Sequence, residues 1–365
     1  MGERIGGTAT IDVLVVEDSR VIQDYLVYIL ETDPQIRVCG AVASGEEALA
    51  CAGELRPDVI LMDIHLPGID GLETTRRIMS SNPIPIVVCT ASTSFDQIDT
   101  AMRVLEAGAL AILKKPRSLD DPGAEAEAAA IISALKSMSE VKLVKRWNHG
   151  PAVSQDPILP IPTNNSYRDS AIVAIGASTG GPPALMALLS NLPPNFPLPI
   201  LVVQHIAAGF TAGLVEWLGS ATRLKVQLAI GGEIPVAGHV YLAPDNLQLR
   251  IGVAGELLTS MDPPLNGLRP SVGALFRSVA ERYANRAIGV LLTGMGRDGA
   301  DELKTMADRG ALTIAQDEAS SVVFGMPAEA IKLGAAQFVL PPQAIAAFLA
   351  TTLGCGERKG DAPNA

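Results

Sequence analysis

The chain has 365 residues, enough for two or three domains at about 150 residues each, and 48% hydrophobic against 18% charged residues excludes a largely disordered polymer. Net charge is −11, concentrated in the first 118 residues, and no section is basic; because Lys and Arg at phosphates dominate nucleic-acid affinity, no DNA or RNA partner is expected. No apolar run approaches the roughly 20 residues needed to cross a bilayer, and Met1 to Thr10 holds no apolar signal core, so a cytoplasmic location without membrane insertion is expected.

Residues 11 to 118 alternate short β-branched runs with helical periods. The runs are Ile11 to Val16, Ile36 to Val42, Val59 to Met62, Ile84 to Cys89 and Ala109 to Leu113. Between them Val21, Ile22, Leu26, Ile29 and Leu30 form a helical stripe, and Ser44 with Glu47 has the spacing of a capping box. This rhythm predicts a five-stranded parallel sheet with helices on both faces. Residues 124 to 147, rich in Ala, Glu and Lys, read as a helix, and the Pro- and Asn-bearing stretch 150 to 166 as a linker. From Ala171 the alternation restarts with Ile172 to Ile175, Ile200 to Val203, Val226 to Ile230, Ile288 to Leu292 and Leu312 to Ala315. Helical stretches such as Pro183 to Ser190 and Val272 to Ala284 separate them, predicting a second doubly wound α/β domain. His239 to Ala243 and Leu247 to Ile251, joined by Pro244, Asp245 and Asn246, are expected to pair as an antiparallel hairpin. Cys39, Cys51, Cys89 and Cys355 have no CxxC spacing and read as reduced thiols.

Functional groups of a parallel sheet collect beyond the carboxyl ends of its strands. Glu17 and Asp18 close the first predicted strand, Asp63 the third, Thr90 the fourth and Lys115 the fifth. Three converging carboxylates are costly without a cation, and hard oxygen donors suit Mg²⁺. Any one acid is most simply a polar residue opening a loop; five polar groups at the ends of successive strands mark that edge as a candidate site. These positions resemble the receiver domain of two-component response regulators. The resemblance implies that Asp63 accepts a phosphoryl group from a histidine kinase. It also implies that Glu17, Asp18, Asp63 and the main-chain carbonyl of His65 surround Mg²⁺, and that Thr90 and Lys115 sense the phosphoryl group. Lys114 is the neighbouring rival; the family's lysine directly precedes a proline, here Pro116.

In the second half, Ile172 to Ile175 runs into Gly176-Ala177-Ser178-Thr179-Gly180-Gly181 and a helix opened by Pro182 and Pro183. Ser178 is expected near a helix N-terminus whose free N–H groups favour negative charge. A dinucleotide loop is the nearest rival, but the glycines read GxxxGG and the next strand ends in Gln204-His205, with no ribose-binding acid. His205 alone reads as structural and Asp298, in Gly294 to Gly299, as a turn residue. Together with Ser178 at one sheet edge they permit acyl transfer: His205 as base, Asp298 orienting it, backbone N–H groups holding the oxyanion.

These motifs, with Gln316-Asp317-Glu318-Ala319-Ser320-Ser321-Val322-Val323-Phe324-Gly325-Met326-Pro327, resemble the catalytic domain of the chemotaxis receptor methylesterases, the CheB family. The resemblance implies a receiver at 10–118, an interdomain helix and linker at 119–167, a Rossmann-like methylesterase domain with a hairpin insertion at 168–350 and a flexible tail at 351–365. It carries the nucleophile to Ser178, the base to His205 and the acid to Asp298, with Thr179 and Met295 lining the site and Met295 as a backbone oxyanion donor. The implied substrates are methyl-accepting chemoreceptors, demethylated at glutamates and deamidated at selected glutamines, and the implied phosphodonor to Asp63 is a chemotaxis histidine kinase. Mg²⁺ is implied for phosphorylation and no cofactor for hydrolysis. The implied gate is a receiver that restricts access to Ser178 until phosphorylated. One departure bears on receptor preference: Leu268 and Gly273 stand where the family commonly has His and Asp. The competing readings are a phosphorylation-dependent binding protein without turnover and a nicotinamide-dependent oxidoreductase.

Overall fold

The computed structural model describes residues 10–90, 95–116, 123–141 and 167–355. The chain divides into two compact units, parting near residue 152. The Pro-rich stretch 150 to 166 and the tail beyond Cys355 lie outside the described residues.

The first unit runs β1 (Ile11–Val16), α1 (Arg20–Glu31), β2 (Ile36–Val42), α2 (Gly45–Leu55), β3 (Val59–Asp63), α3 (Gly71–Ser81), β4 (Ile86–Thr90), α4 (Phe95–Glu106), β5 (Ala111–Lys114) and α5 (Ala124–Ser139). Its sheet has the order β2-β1-β3-β4-β5 and is parallel throughout, as the alternation predicts. β3 and β4 are buried from end to end, which is why they read as continuous apolar runs rather than alternating ones. Ser44 caps α2 by accepting the Glu47 N–H, while Glu47 reaches back to the N–H of Ala43. Two expectations fail here. Val21 is exposed and Gln23 buried, because the Gln23 amide donates to the carbonyls of Glu17 (3.0 Å) and Val42 (2.9 Å), tying the ends of β1 and β2 together. The helix placed in the connecting segment is instead a layer of this unit: α5 packs on β1, β3, β4 and β5 and buries Ile131, Leu135 and Met138. Alternation alone cannot show which sheet a helix covers.

The second unit runs β6 (Ile172–Ala177), α6 (Gly181–Leu189), β7 (Ile200–Gln204), α7 (Thr211–Ala221), β8 (Lys225–Leu228), β9 (His239–Leu242), β10 (Gln248–Ile251), β11 (Leu257–Ser260), α8 (Val272–Tyr283), β12 (Ala287–Leu291), α9 (Ala300–Asp308), β13 (Leu312–Gln316), α10 (Met326–Lys332), β14 (Phe338–Leu340) and α11 (Pro342–Thr352). Seven strands form one parallel sheet in the order β14-β13-β12-β6-β7-β9-β8. The expected pairing of 239–243 with 247–251 is wrong: β9 joins the main sheet in parallel with β7 and β8. The hairpin is β10–β11, antiparallel, with Leu249, Ile251 and Leu257 buried beneath it. β9 is buried at three of its four residues, which suits a sheet interior, whereas the turn 252–256 carries Gly252 and Gly255. Thr351 and Thr352, assigned to a tail, end α11. Among the described residues no helix is long and apolar enough to cross a membrane, and Cys39, Cys51, Cys89 and Cys355 are free thiols.

Candidate functional site

Both sheets reverse their strand order at their first strand, β1 in one unit and β6 in the other, and a doubly wound sheet opens a crevice at such a point. At the first, Glu17 follows β1, and Asp63 and Thr90 end β3 and β4. Lys115 follows β5, held by its N–H to the Thr90 carbonyl. Lys115 Nζ lies 2.6 Å from Glu17 Oε2 and 2.7 Å from Asp63 Oδ2, and all three side chains are nearly fully buried. The rival Lys114 instead pairs with Glu127 of α5 at 2.8 Å. Burial pushes the Glu17 carboxyl up and the contact with Lys115 does not cancel it, while Asp63 adds repulsion, so the group sits above its ordinary range. Lys115 feels burial most strongly in the opposite sense, but Asp63 and Glu17 outweigh it and raise its pKa. Glu17, Asp18 and Asp63 each bring a carboxylate oxygen within 4.8 Å of the others. This oxygen set, with Asp18 exposed to solvent, fits a hard divalent cation that keeps part of its water shell. The Thr90 hydroxyl is buried without a hydrogen-bond partner among the described residues. His65 lies two residues past β3, and its side chain is not part of this group.

At the second point, β6 lies between β7 and β12, pairing Ala177 with Gln204 and Gly176 with Leu291. Ser178 and His205 therefore leave adjacent strand ends side by side. The His205 N–H donates to the Ala177 carbonyl, and Gln204 Nε2 donates to the carbonyls of both Ser178 and His205 at 2.8 Å. The loop after β12 passes over Ser178, whose N–H donates to the Thr293 carbonyl at 3.0 Å. A Cβ at Gly294 would stand 2.7 Å from Ser178 Cβ and 2.3 Å from Met326 Sδ, a gap only glycine fits. The same loop brings Asp298, 6% exposed, to His205, where Oδ2 lies 3.0 Å from Nε2. The ring is turned so that its N–H direction misses the oxygen, giving ion-pair distance without hydrogen-bond alignment. Asp298 is further held by the Ser271 hydroxyl (2.8 Å) and the N–H groups of Val272 (2.7 Å) and Gly273 (3.1 Å). Burial is the largest single influence on this carboxyl and raises its pKa. The contact and charge of His205, Ser271 and Val272 together outweigh it and hold the group below its ordinary value. The Ser178 hydroxyl has no hydrogen bond among the described residues, leaving it open to a reacting carbonyl.

One electrostatic expectation needs correcting. The first turn of α6 offers no free N–H: Gly181 donates to the Ser178 carbonyl, Pro182 and Pro183 have none, and Ala184 donates to Gly180. The amides near Ser178 that make no backbone hydrogen bond among the described residues are those of Thr179 and Gly180 on one side and Met295 and Gly296 on the other. Sequence reading also missed Thr293 and Gln316. The Thr293 hydroxyl accepts the N–H groups of Val322 (3.1 Å) and Val323 (2.9 Å) and lies 3.0 Å from the Thr179 carbonyl; Gln316 Oε1 accepts the Thr293 N–H at 2.7 Å. Their position at the ends of β12 and β13 was the available signal. The motif 316–327 thus anchors the loop that carries Met295 and Asp298. Leu268 and Gly273 bracket the turn into α8, and the space a side chain at 273 would enter is filled by the carboxylate of Glu302, itself 2.8 Å from Arg277.

Comparison with known proteins places each unit in a family. A family model described as the response regulator receiver domain matches residues 13–122, and one described as CheB methylesterase matches 173–349. A protein-glutamate methylesterase/protein-glutamine glutaminase of Nitrosospira multiformis is 49% identical over 340 residues, 93% of this chain and 96% of its own length. One of Syntrophus aciditrophicus is 48% identical over 351 residues, 94% and 99% of the two chains. The catalytic domain of Thermotoga maritima CheB methylesterase, a crystal structure, is 40% identical over 49% of this chain and 97% of its own, with a TM-score of 0.48. With identity this high along nearly the whole of both chains, the protein belongs to the CheB family, an N-terminal receiver followed by a methylesterase domain.

Proposed function

We propose that the protein hydrolyses glutamate methyl esters on chemoreceptors, and deamidates selected receptor glutamines, under control of phosphorylation at Asp63. The observation that carries the chemistry is that Ser178 and His205 leave the ends of neighbouring strands and the loop after β12 brings Asp298 to face the histidine. His205 takes the Ser178 hydroxyl proton as Oγ attacks the ester carbonyl, and Asp298 offsets the imidazolium that forms. The free amides of Met295 and Thr179 are the donors for the oxyanion. Collapse returns the proton to the departing methoxide and releases methanol; water, activated by His205, then frees the carboxylate and regenerates Ser178. With a glutamine the same steps release ammonia. The geometry would serve many esters, so the protein-glutamate substrate is supported by the relatives' names and the receptor by the family resemblance. An adenine dinucleotide reading loses ground, because Gly181 closes against Gln204 where a pyrophosphate would need free amides.

In the receiver, Asp63 is the nucleophile toward a phosphodonor, a histidine kinase of the same signalling system. Glu17, Asp18, Asp63 and the His65 carbonyl would hold Mg²⁺, which when bound offsets charge on the phosphoryl group. Lys115 neutralises Asp63 between turnovers, and the buried Thr90 hydroxyl is placed to bond a phosphoryl oxygen. The expected setting is the cytoplasmic face of a receptor array.

Methanol release from methylated receptor membranes tests the esterase. Ser178→Ala and His205→Ala should each lose on the order of 10⁴ in kcat, and the double variant should be little slower than either single one, because the two act as a unit. Release by Ser178→Ala equal to that of the parent would sink the assignment and favour a binding protein.

A further inference from the structure

The hairpin β10–β11 carries a polar residue where an apolar one would pack. Gln248 is fully buried beside Leu249, and every part of its amide is engaged. Oε1 accepts the Ser271 N–H at 2.9 Å, and Nε2 lies 3.2 Å from the Leu268 carbonyl and 3.4 Å from that of Pro263. One side chain thus fixes three backbone groups of the segment that leads into α8.

That segment ends at Ser271, the residue before the first turn of α8, and its hydroxyl does not cap the helix. A serine there ordinarily accepts an N–H of the first turn. Here it donates to Asp298 Oδ1, and the Asp298 carboxylate takes over the capping, accepting the Val272 and Gly273 amides from a loop more than twenty residues further along. A carboxylate offers about four lone-pair directions. Three are filled by α8 and Ser271, and the fourth faces His205. Helix stability alone does not require this arrangement, since serine could cap the helix by itself. What it achieves is a carboxylate with its orientation fully determined.

We propose that Ser271 and Gln248 are positioning residues of the esterase site, with Gln248 holding the 268–271 segment so that Ser271 and the first amides of α8 present Asp298 to His205. The hairpin insertion is then the buttress of the catalytic acid. The proposal rests on the assignment of Asp298 to the esterase reaction, and the experiment separates the two.

The full-length protein is assayed for methanol release from methylated receptor membranes, with kcat and KM determined for Ser271→Ala, Ser271→Thr and Gln248→Met, each alone and combined with Asp298→Asn. Ser271→Ala should lower kcat about tenfold with KM unchanged, the scale of one lost hydrogen bond to a charged group. Ser271→Thr keeps the hydroxyl and should recover most of that loss. Combined with Asp298→Asn, Ser271→Ala and Gln248→Met should each add less than about twofold, because the group through which they act is already lost. Equal losses with and without Asp298→Asn, or a threonine variant as slow as the alanine one, would overturn the proposal. Parental activity of Asp298→Asn itself would instead overturn the underlying assignment.

Discussion

Single residues show how the two sites treat charge differently. At the esterase site one carboxylate receives three hydrogen bonds and faces a histidine, so the anion is favoured despite burial. At the receiver site two buried carboxylates share one lysine, leaving negative charge in excess. The pH consequence follows for Glu17. Its folded pKa lies above 4.5, so the folded receiver binds a proton more readily than the unfolded chain does. The resulting cost to stability sets in as pH rises through 4.5 toward the folded value and is complete above it. In chelator, Glu17→Gln should therefore raise the receiver's melting temperature at pH 7.5 and change it less at pH 4. A variant that melts lower than the parent at pH 7.5 would show that the Lys115 contact outweighs the burial of Glu17. Asp298 has the opposite sign: its contribution is present above 3.8 and is lost only as pH falls through its lower folded value, so its titration sets no limb of the activity profile near neutrality.

Among the elements, α8 does the most for the esterase site, and its approach depends on two positions without a side chain. A Cβ at Gly176 would stand 2.2 Å from Val272 Cγ1, and one at Gly299 2.4 Å from the same atom. The first residue of α8 thus seats its side chain over the end of β6 and the loop that carries Asp298. Its own N–H then reaches the carboxylate. Gly176→Ala should force α8 outward, lowering stability by about 1 to 3 kcal/mol by overpacking and reducing esterase turnover as well. Adding Val272→Ala should restore part of the activity by reopening the space. Thermal denaturation and methanol release on the single and double variants check this, and a Gly176→Ala protein with parental stability and rate would contradict the close approach. The glycines were readable as a motif, but the partner at 272 was not. Nearly a hundred residues separate it from Gly176, and only strand order brings them together.

At the scale of the whole chain, two parallel-sheet units each carry their candidate site at the point where strand order reverses. On the proposed reading, phosphorylation of Asp63 would bias the receiver between two states through contacts available in only one of them, and the second domain would respond to that bias. If the unphosphorylated receiver restricts the esterase, removing residues 1 to about 165 should raise basal methanol release above that of the full-length protein. Asp63→Asn should hold the full-length protein at its low basal rate even with a small-molecule phosphodonor and Mg²⁺. Rates at equal concentration decide it: a folded truncated protein no faster than the unphosphorylated parent rules out inhibition, and a slower one points to a receiver that activates directly.

The strand-end residues of both sites were legible in the sequence because parallel sheets impose a local rule. Buried strands read as apolar runs, the residue after each run lies at the functional edge, and Ser178, His205, Asp63 and Lys115 could be named from that rule and from the motifs around them. Local pattern could not reveal partnership across the chain. The pairing of β9 into the main sheet, the covering of the first sheet by α5, the burial of Gln23 and the capping of α8 by Asp298 all depend on which distant segment supplies a hydrogen bond or an apolar face. Periodicity specifies the face an element buries, because side-chain direction is fixed by backbone geometry. It carries no information on what that face is buried against, and the tertiary structure decided that through the strand order that joins Gly176, Val272 and Asp298 at one site.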